Sequence, residues 1–351
     1  MFGLKALFVV TGRGLGGDSA VAINISKALS KYGVECEFAL NHGSPGILYK
    51  KNGIEWHEIS IPQAGGHAAT KITRITGGIK TIKAIFEALR LFRKVKPDVV
   101  VGILGGGAIV GCMTAKIAGI PSVGVICTPS DSQLVRFTTT IAIPESPLFN
   151  LDIDNPNFNK CYNPINQDII SGNRDRALEL MPEEYDPQLP TILLSSGSTL
   201  FEKMALAAPK LRNSGIKANI VVIGAPLEEK YREYLETPGI IYLDYINWVN
   251  DLYQLADFVI ITDDGMMLHE AIACNLPIIT LLRVKYGRYH NMGLIFKGAM
   301  VESELENLDE TVKDFLDDLE NIKTKASEYR EEVIGSADKM AKIICKRANT
   351  K

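Results

Sequence analysis

The sequence holds no CxxC pair and no run of histidines at ligand spacing. Its six cysteines (Cys36, Cys112, Cys127, Cys161, Cys274, Cys345) are scattered, and so are its five histidines. This excludes the common structural zinc frameworks and predicts reduced, buried thiols of a cytosolic chain. No apolar run reaches the ~18–20 residues that would span a bilayer. Residues Met1 to Val10 read as a first β-strand rather than a signal peptide, because they run straight into a glycine-rich turn. Aromatic residues make up only 7% of the chain, and the most basic stretch interleaves just Phe86 and Phe92. With a net charge of −3, nucleic-acid binding has little support.

What is present is hydrophobic content (46%) and length (351 residues), enough for two full cores. Charge divides unevenly, +6 over residues 1–165 and −9 over 166–351, so the first half is the place to seek an anionic surface or ligand. Apolar strands at 4–10, 34–40, 97–104 and 121–127 alternate with helical stretches. A second series follows at 191–200, 218–224, 240–246, 256–262 and 277–282, with a charged helical end over 303–348. The pattern predicts an α/β chain of two doubly wound, Rossmann-like domains facing a cleft. Residues 1–165 form the first and 166–335 the second, and a C-terminal helix over 336–351 packs back on the first. The Pro- and Asn-rich stretch 144–190 reads as the crossover.

The turn TGRGLGGDSA carries Gly12-x-Gly14-x-x-Gly17, the spacing of a dinucleotide fingerprint. That site also needs an acidic residue at the end of the second strand. Here the strand ends Leu40-Asn41-His42, and Glu35 and Glu37 come too early. The glycines still allow a tight turn and close approach of an anion to a helix N-terminus. Asp18 then has two readings, an N-cap for the helix beginning near Ser19 or a carboxylate facing the cleft to take a proton.

Several segments together resemble the MurG-type N-acetylglucosaminyltransferases. They include GRGLGGDSA, KNGIEWHEISI (51–61), KPDVVVGILGGGAIVGCMTAKIAGIPSV (96–123), NPINQD (163–168), LLSSGS (193–198) and YINWVNDLYQLADFVIITDDGMMLHEAIACNLPIITL (245–281). The resemblance implies a GT-B fold and inverting transfer of a sugar, GlcNAc or a related HexNAc, from a UDP-sugar to a polyprenyl-pyrophosphate-linked cell-wall precursor. It implies that Glu270 binds the UDP ribose and that the backbone at Tyr245 and Ile246 meets the uracil. Gly197, Ser198 and Thr199, with Gly265 and Met266, would face the donor diphosphate. Gly14, Gly16, Gly17, Gly105, Gly106, Gly107 and Asn166 would lie on the acceptor and diphosphate side. Asp18, where the family carries histidine, is the candidate base or the partner orienting one.

The departures point to a related but different substrate pair. Asn166 replaces an arginine, for which Arg174, Arg283 or Arg288 are candidate substitutes. The glutamine pair expected within 282–294 is missing, and Val125-Ile126-Cys127-Thr128 stands where the family has His-Glu-Gln-Asn. No tightly held metal is expected: Asp152-x-Asp154 falls in the crossover, and Asp263 and Asp264 read as helix caps before Gly265. His269 and His290 read equally as cleft or packed residues. Residues 71–97 hold eight Lys/Arg against Glu87 alone, with Ile82, Ile85, Phe86 and Leu89 on one helical face and Lys80, Lys83, Arg90 and Lys94 on another. Two readings stand: a crossover helix whose apolar stripe packs on its sheet, or a basic amphipathic helix lying on the anionic inner face of the cell membrane. A GT-B-type sugar-nucleotide 2-epimerase and a non-catalytic sugar-nucleotide-binding subunit are the alternative functions.

Overall fold

The computed structural model describes residues 3–12, 17–62, 71–263, 265–284 and 294–350, with the side chains of 71–80 excepted. The chain divides into two compact units, residues 1–165 with 335–351, and residues 166–334.

The first unit is built on seven strands, all parallel. In chain order its elements are β1 (Lys5–Val10), α1 (Gly17–Ser30), β2 (Glu35–Asn41), α2 (Ile47–Lys51), β3 (His57–Ile59), α3 (Lys71–Val95), β4 (Val99–Ile103), α4 (Gly106–Ala118), β5 (Ser122–Ile126), β6 (Thr139–Ala142) and β7 (Phe158–Lys160). Their sheet order is β3-β2-β1-β4-β5-β6-β7. Strand KALFVV is buried on both faces, as a parallel sheet requires. Leu7 and Val9 join the core under α3 and α4 with Ala84, Ala88, Phe92, Val100 and Val110. Phe8, one residue out of phase, stacks instead on Phe38 at 5.1 Å.

The face that α3 turns to the sheet bears on the two readings of its apolar stripe. Its buried residues are Ala84, Ala88, Leu91, Phe92 and Val95, whereas Ile82 (58% exposed) and Phe86 (63%) point to solvent. Ile85 and Leu89 are partly buried, so it is the Ile82 and Phe86 side of the stripe that does not pack on the sheet. The two small alanines do, letting the helix approach closely. Lys83, Arg90, Arg93 and Lys94 are exposed as well. The lone acid of the helix, Glu87, is turned inward, where the Ser60 N–H donates to it at 2.6 Å and His42 lies at 3.2 Å. These bonds hold its carboxyl below the usual range, against the opposing effect of burial.

The second unit contains α5 (Arg174–Leu180), β8 (Thr191–Leu200), α6 (Glu202–Asn213), β9 (Asn219–Pro226), α7 (Arg232–Leu235), β10 (Ile240–Tyr242), α8 (Val249–Leu252), β11 (Phe258–Thr262), α9 (Met266–Ala273), β12 (Ile278–Leu281), β13 (Met300–Ser303), α10 (Leu308–Asp317) and α11 (Leu319–Ile334). Its six parallel strands run β10-β9-β8-β11-β12-β13. Ile192 and Leu194 of β8 face the core of α6, α7 and α10 with Met204, Leu211, Leu235, Val312 and Phe315. The last helix, α12 (Ser336–Ala348), belongs to the first unit and packs beside α1. There Ser336 donates to the Asn163 carbonyl at 3.0 Å. No helix among the described residues is long and apolar enough to cross a membrane.

Both sheets thus have the doubly wound order the βα pattern predicts, with the chain reversing direction across the sheet beside the first strand. In such sheets ligands bind at the carboxyl ends of the strands flanking that reversal. Those ends are the loops after β1 and β4 in the first unit and after β8 and β11 in the second.

Candidate functional site

In the second unit, β8 does not end cleanly. Its pairing with β9 shifts register between Ser195 and Thr199, so the strand bulges there and then resumes pairing at Thr199–Ala225 and Leu200–Pro226. Two inward serines build the bulge. Ser196 accepts the Phe201 N–H at 3.0 Å and donates to the Thr199 carbonyl at 2.9 Å. Ser195 accepts the Gly197 N–H at 3.1 Å and donates to the Ile223 carbonyl at 3.2 Å. Gly197 sits at φ 98°, in the region that favours glycine, with open space where a side chain would project. Ser198 is the exposed residue at the tip.

On the neighbouring strand β11, Thr262 leads to buried Asp263 and then to Gly265, the N-cap of α9, at φ 101° and ψ −174°. The N-cap of α9 is thus Gly265 and not Asp263, and Asp264 lies outside the described residues. A glycine cap leaves the first N–H groups of α9, from Met266 onward, without a side-chain partner of the cap. His269 is fully buried, edge-on to Phe296 at 5.4 Å. Burial lowers its pKa to about 3, against a hydrogen bond with the Gly265 backbone. It is a neutral core histidine that helps set the start of α9, which decides between its two readings. His290 lies outside the described residues.

Glu270 follows on the same helix, partly buried, with the Tyr253 hydroxyl donating to its Oε2 at 3.4 Å. Burial pushes its carboxyl up to about 7, and the Tyr253 bond opposes this. Tyr253 was not singled out from the sequence: it precedes Glu270 by seventeen positions, and no local spacing links them. The Tyr245 side chain is half exposed, and its N–H is taken by Asp244 Oδ1 at 2.7 Å, so Ile246 offers the next backbone groups of that segment. Asn166 caps a short 3-10 turn, accepting the Asp168 N–H. Of its candidate substitutes, Arg174 donates to the Gln254 carbonyl at 2.7 Å and Arg283 pairs with Glu304; Arg288 lies outside the described residues.

In the first unit, Asp18 lies in the first turn of α1 rather than before it. Its Oδ2 accepts the Thr11 hydroxyl at 2.7 Å and the Gly12 N–H at 2.9 Å, and its Oδ1 accepts the Ser19 N–H at 2.8 Å. The carboxylate thus ties the end of β1 to the start of α1. Gly17 is exposed with open space around it; Gly14 and Gly16 lie outside the described residues. After β4, the three glycines have different reasons to be glycine. A side chain on Gly106 would strike the Pro62 carbonyl (2.3 Å), and one on Gly107 the Val9 carbonyl (2.6 Å). Those two let α4 pack closely. Gly105, at φ 57° and ψ −120°, faces open space as the N-cap of α4.

The Gly105 N–H is held by a residue the sequence reading passed over. Asp131, fully buried, accepts from Gly105 at 2.6 Å, Cys127 at 3.1 Å and Thr128 at 2.7 Å, while its own N–H donates to the Thr128 hydroxyl at 3.2 Å. Thr128-x-x-Asp131 is the reciprocal pattern of a capping box, a signal available in the sequence. Asp131→Asn keeps an acceptor for two of the three donors and turns an amide toward the third. A loss of about 1–2 kcal/mol is expected by urea denaturation; an unchanged midpoint would contradict this account of the loop.

The chain is similar to known proteins in both sequence and fold. Residues 8–124 match the model of the glycosyltransferase family 28 N-terminal domain. The chain is 25% identical over 315 residues to a UDP-N-acetylglucosamine–N-acetylmuramyl-(pentapeptide) pyrophosphoryl-undecaprenol N-acetylglucosamine transferase of Elusimicrobium minutum, covering 85% of both chains. Among solved structures it is similar to MurG of Acinetobacter baumannii (TM-score 0.71, 16% identity, 98% of this chain and 99% of that one). It is also similar to a UDP-GlcNAc 2-epimerase from Neisseria meningitidis (TM-score 0.68, 13% identity, 98% and 100%). Residues 8–124 are thus similar to the glycosyltransferase family 28 N-terminal domain, and the two parallel-sheet units have the GT-B fold of the solved MurG.

Proposed function

We propose that this glycosyltransferase moves an N-acetylhexosamine from a UDP-sugar to a polyprenyl-pyrophosphate-linked cell-envelope precursor at an anionic membrane surface. The observation that carries the donor half is the juxtaposition of the β8 bulge with the N-terminus of α9, on adjacent strands and with Glu270 behind them. A glycine-capped helix and an outward serine suit a diphosphate, and a carboxylate on that helix suits the paired hydroxyls of a ribose. In this reading Glu270 binds the ribose, and Gly197, Ser198, Thr199, Gly265 and Met266 receive the diphosphate. The Tyr245–Ile246 backbone reads the base. N–H groups aimed at the departing UDP stabilise the charge that develops there.

The acceptor half rests on the first unit. The Elusimicrobium relative's name gives a pyrophosphoryl-undecaprenol carrier, which supports a lipid-linked acceptor. So does α3, which offers Ile82 and Phe86 to solvent among Lys83, Arg90, Arg93 and Lys94. Lys80 lies on the same helix. Met113 and Ile117 of α4 are exposed too, and Lys116 lies over the ring of exposed Phe137 at 4.5 Å. An apolar surface ringed by cations suits an anionic leaflet. Gly14, Gly16, Gly17, Gly105 and Asn166 are assigned to the acceptor and diphosphate side, with Gly106 and Gly107 shaping the loop. Asp18, with three donors already on its carboxylate, fits the part of orienting the catalytic base.

Calorimetry with UDP, a panel of UDP-sugars and NAD(H) tests the donor site. UDP should bind, NAD(H) should not, and the tightest sugar nucleotide names the donor. Product analysis then separates the alternatives, since conversion of UDP-GlcNAc to its C2 epimer without acceptor would replace transfer by epimerisation. Asp18→Asn should keep the acid limb of the kcat profile if Asp18 orients the base, and lose it if Asp18 is the base. Binding without turnover of any kind would leave a sugar-nucleotide-binding subunit.

A further inference from the structure

At the opposite edge of the first sheet from Gly12 and Gly105, a groove of about 410 Å³ runs between α12 and the N-terminal ends of β6 and β7. Lys342, Lys346 and Arg347 line it from the helix, and Thr139, Asn157 and Asn159 from the strands. No carboxylate is among the described residues lining it. Asp338, the nearest acid along the helix, is engaged by Lys342 at 2.7 Å and by the Tyr32 hydroxyl.

Arg347 is the unexplained group. Its Nε is shut off from solvent and meets no hydrogen-bond partner among the described residues. The guanidinium keeps its charge at any working pH, and the rest of the Arg347 side chain, only partly buried, lines the groove with no carboxylate among the described lining residues. The surroundings suit an anion. The Thr350 hydroxyl donates to the Lys346 and Arg347 carbonyls at 2.9 and 3.0 Å, covering the last-turn carbonyls whose negative pole would repel an anion. The Thr139 hydroxyl donates to Asn157 Oδ1 at 3.5 Å, which occupies the accepting side of that amide. Lys346 and Arg347, with Lys342 shared with Asp338, suit an oxyanion with several acceptor oxygens rather than a duplex, and no aromatic ring lines the groove for a base to stack on.

We propose that this groove is a second ligand site, separate from the nucleotide site, that binds a phosphate group through Arg347 with Lys346 and Lys342 beside it. The phosphate belongs either to a soluble ester or to a lipid headgroup. The proposal does not depend on the donor assignment.

The test is calorimetry on the full chain at constant ionic strength, with inorganic phosphate and glycerol 1-phosphate as probes and acetate as the competing anion. Arg347→Gln should weaken phosphate binding by about tenfold or more, the loss expected for a charge-assisted contact. Lys346→Gln, an exposed position that leaves the fold intact, should weaken it severalfold, and UDP affinity should be unchanged in both variants. Binding to phosphatidylglycerol vesicles separates the sources. If Arg347→Gln and added phosphate both reduce it, the ligand is a headgroup; if neither does while soluble phosphate still binds, it is an ester. Phosphate heats that are the same in wild type and both variants, or matched by acetate, would overturn the proposal.

Discussion

Replacing Glu270 by glutamine is expected to do two opposite things, weakening UDP binding on the order of 10²–10³-fold while making the protein more stable above pH 7. The first follows from the amide losing the charge and one of the two acceptor oxygens for the ribose hydroxyls, about 3–4 kcal/mol where each charged hydrogen bond is worth about 1.5–3 kcal/mol. The second follows from the environment of the carboxyl. Burial raises its pKa from 4.5 to about 7, so the folded state holds a proton that the unfolded chain releases. The stability from that proton is present in full below pH 4.5 and is lost as pH rises through 7, a fall of about 3 kcal/mol. Glutamine keeps the shape, the Tyr253 contact and the neutral charge, so its stability should not fall over that window. Urea denaturation at pH 5 and pH 8 on both proteins checks this. UDP binding by the wild type should in turn release a proton near neutrality, seen as a calorimetric enthalpy that changes with the buffer's ionisation heat. A variant that binds UDP as tightly as wild type would remove Glu270 from the donor site.

The double substitution Ile82→Ser and Phe86→Ser should abolish most vesicle binding and leave folding and UDP affinity alone. Both side chains are largely exposed, at 58% and 63%, so neither contributes a core contact to lose. Inserting an isoleucine and a phenylalanine part-way into a leaflet is worth about 3 kcal/mol together, or on the order of a hundredfold in partitioning. The four exposed cations of the same helix add about 1 kcal/mol each at an anionic surface, a contribution that salt screens. Sedimentation with anionic vesicles at low and high salt, and with neutral vesicles, measures both parts. Equal binding to neutral and anionic vesicles would remove the charge contribution, and a double variant that sediments like wild type would show that this face meets something other than a membrane.

How far the sequence could be read follows from where the physics was local. Runs such as ALFVV in β1 and FVII in β11 are apolar throughout because both faces of a parallel sheet are covered, and they stood out without knowledge of their neighbours. Strands β6, β7 and β13 did not. TTIA, FNK and MVES are three or four residues long and partly polar, and they become strands because an existing edge offers them hydrogen bonds. Two of them lie at or inside the region read as unstructured crossover or loop. The α3 stripe stayed open between two readings because periodicity weighs hydrophobicity and not size. Ile82 and Phe86 outscore Ala84 and Ala88, yet the alanines fit against the sheet. At the candidate site, Glu270 was marked by its motif and Asp131 by a capping-box spacing that went unused. Tyr253 and the inward serines owe their positions to strand packing across the sheet, which no short window contains.

The discontinuity of the first unit also bears on how the protein is made. Its sheet is assembled from residues 1–165, but the helix that covers part of one face is not translated until after residue 335. At ribosomal rates of ~5–20 residues per second, the intervening segment takes on the order of ten to thirty seconds to emerge. During that interval the nascent first half carries an apolar strip that Met340, Ala341 and Ile344 will later seal. The second unit, contiguous over residues 166–334, can complete its own sheet first. The half of the protein with the exposed basic and apolar helix is therefore the last to close. A newborn chain thus exposes the most apolar surface before it has bound any substrate.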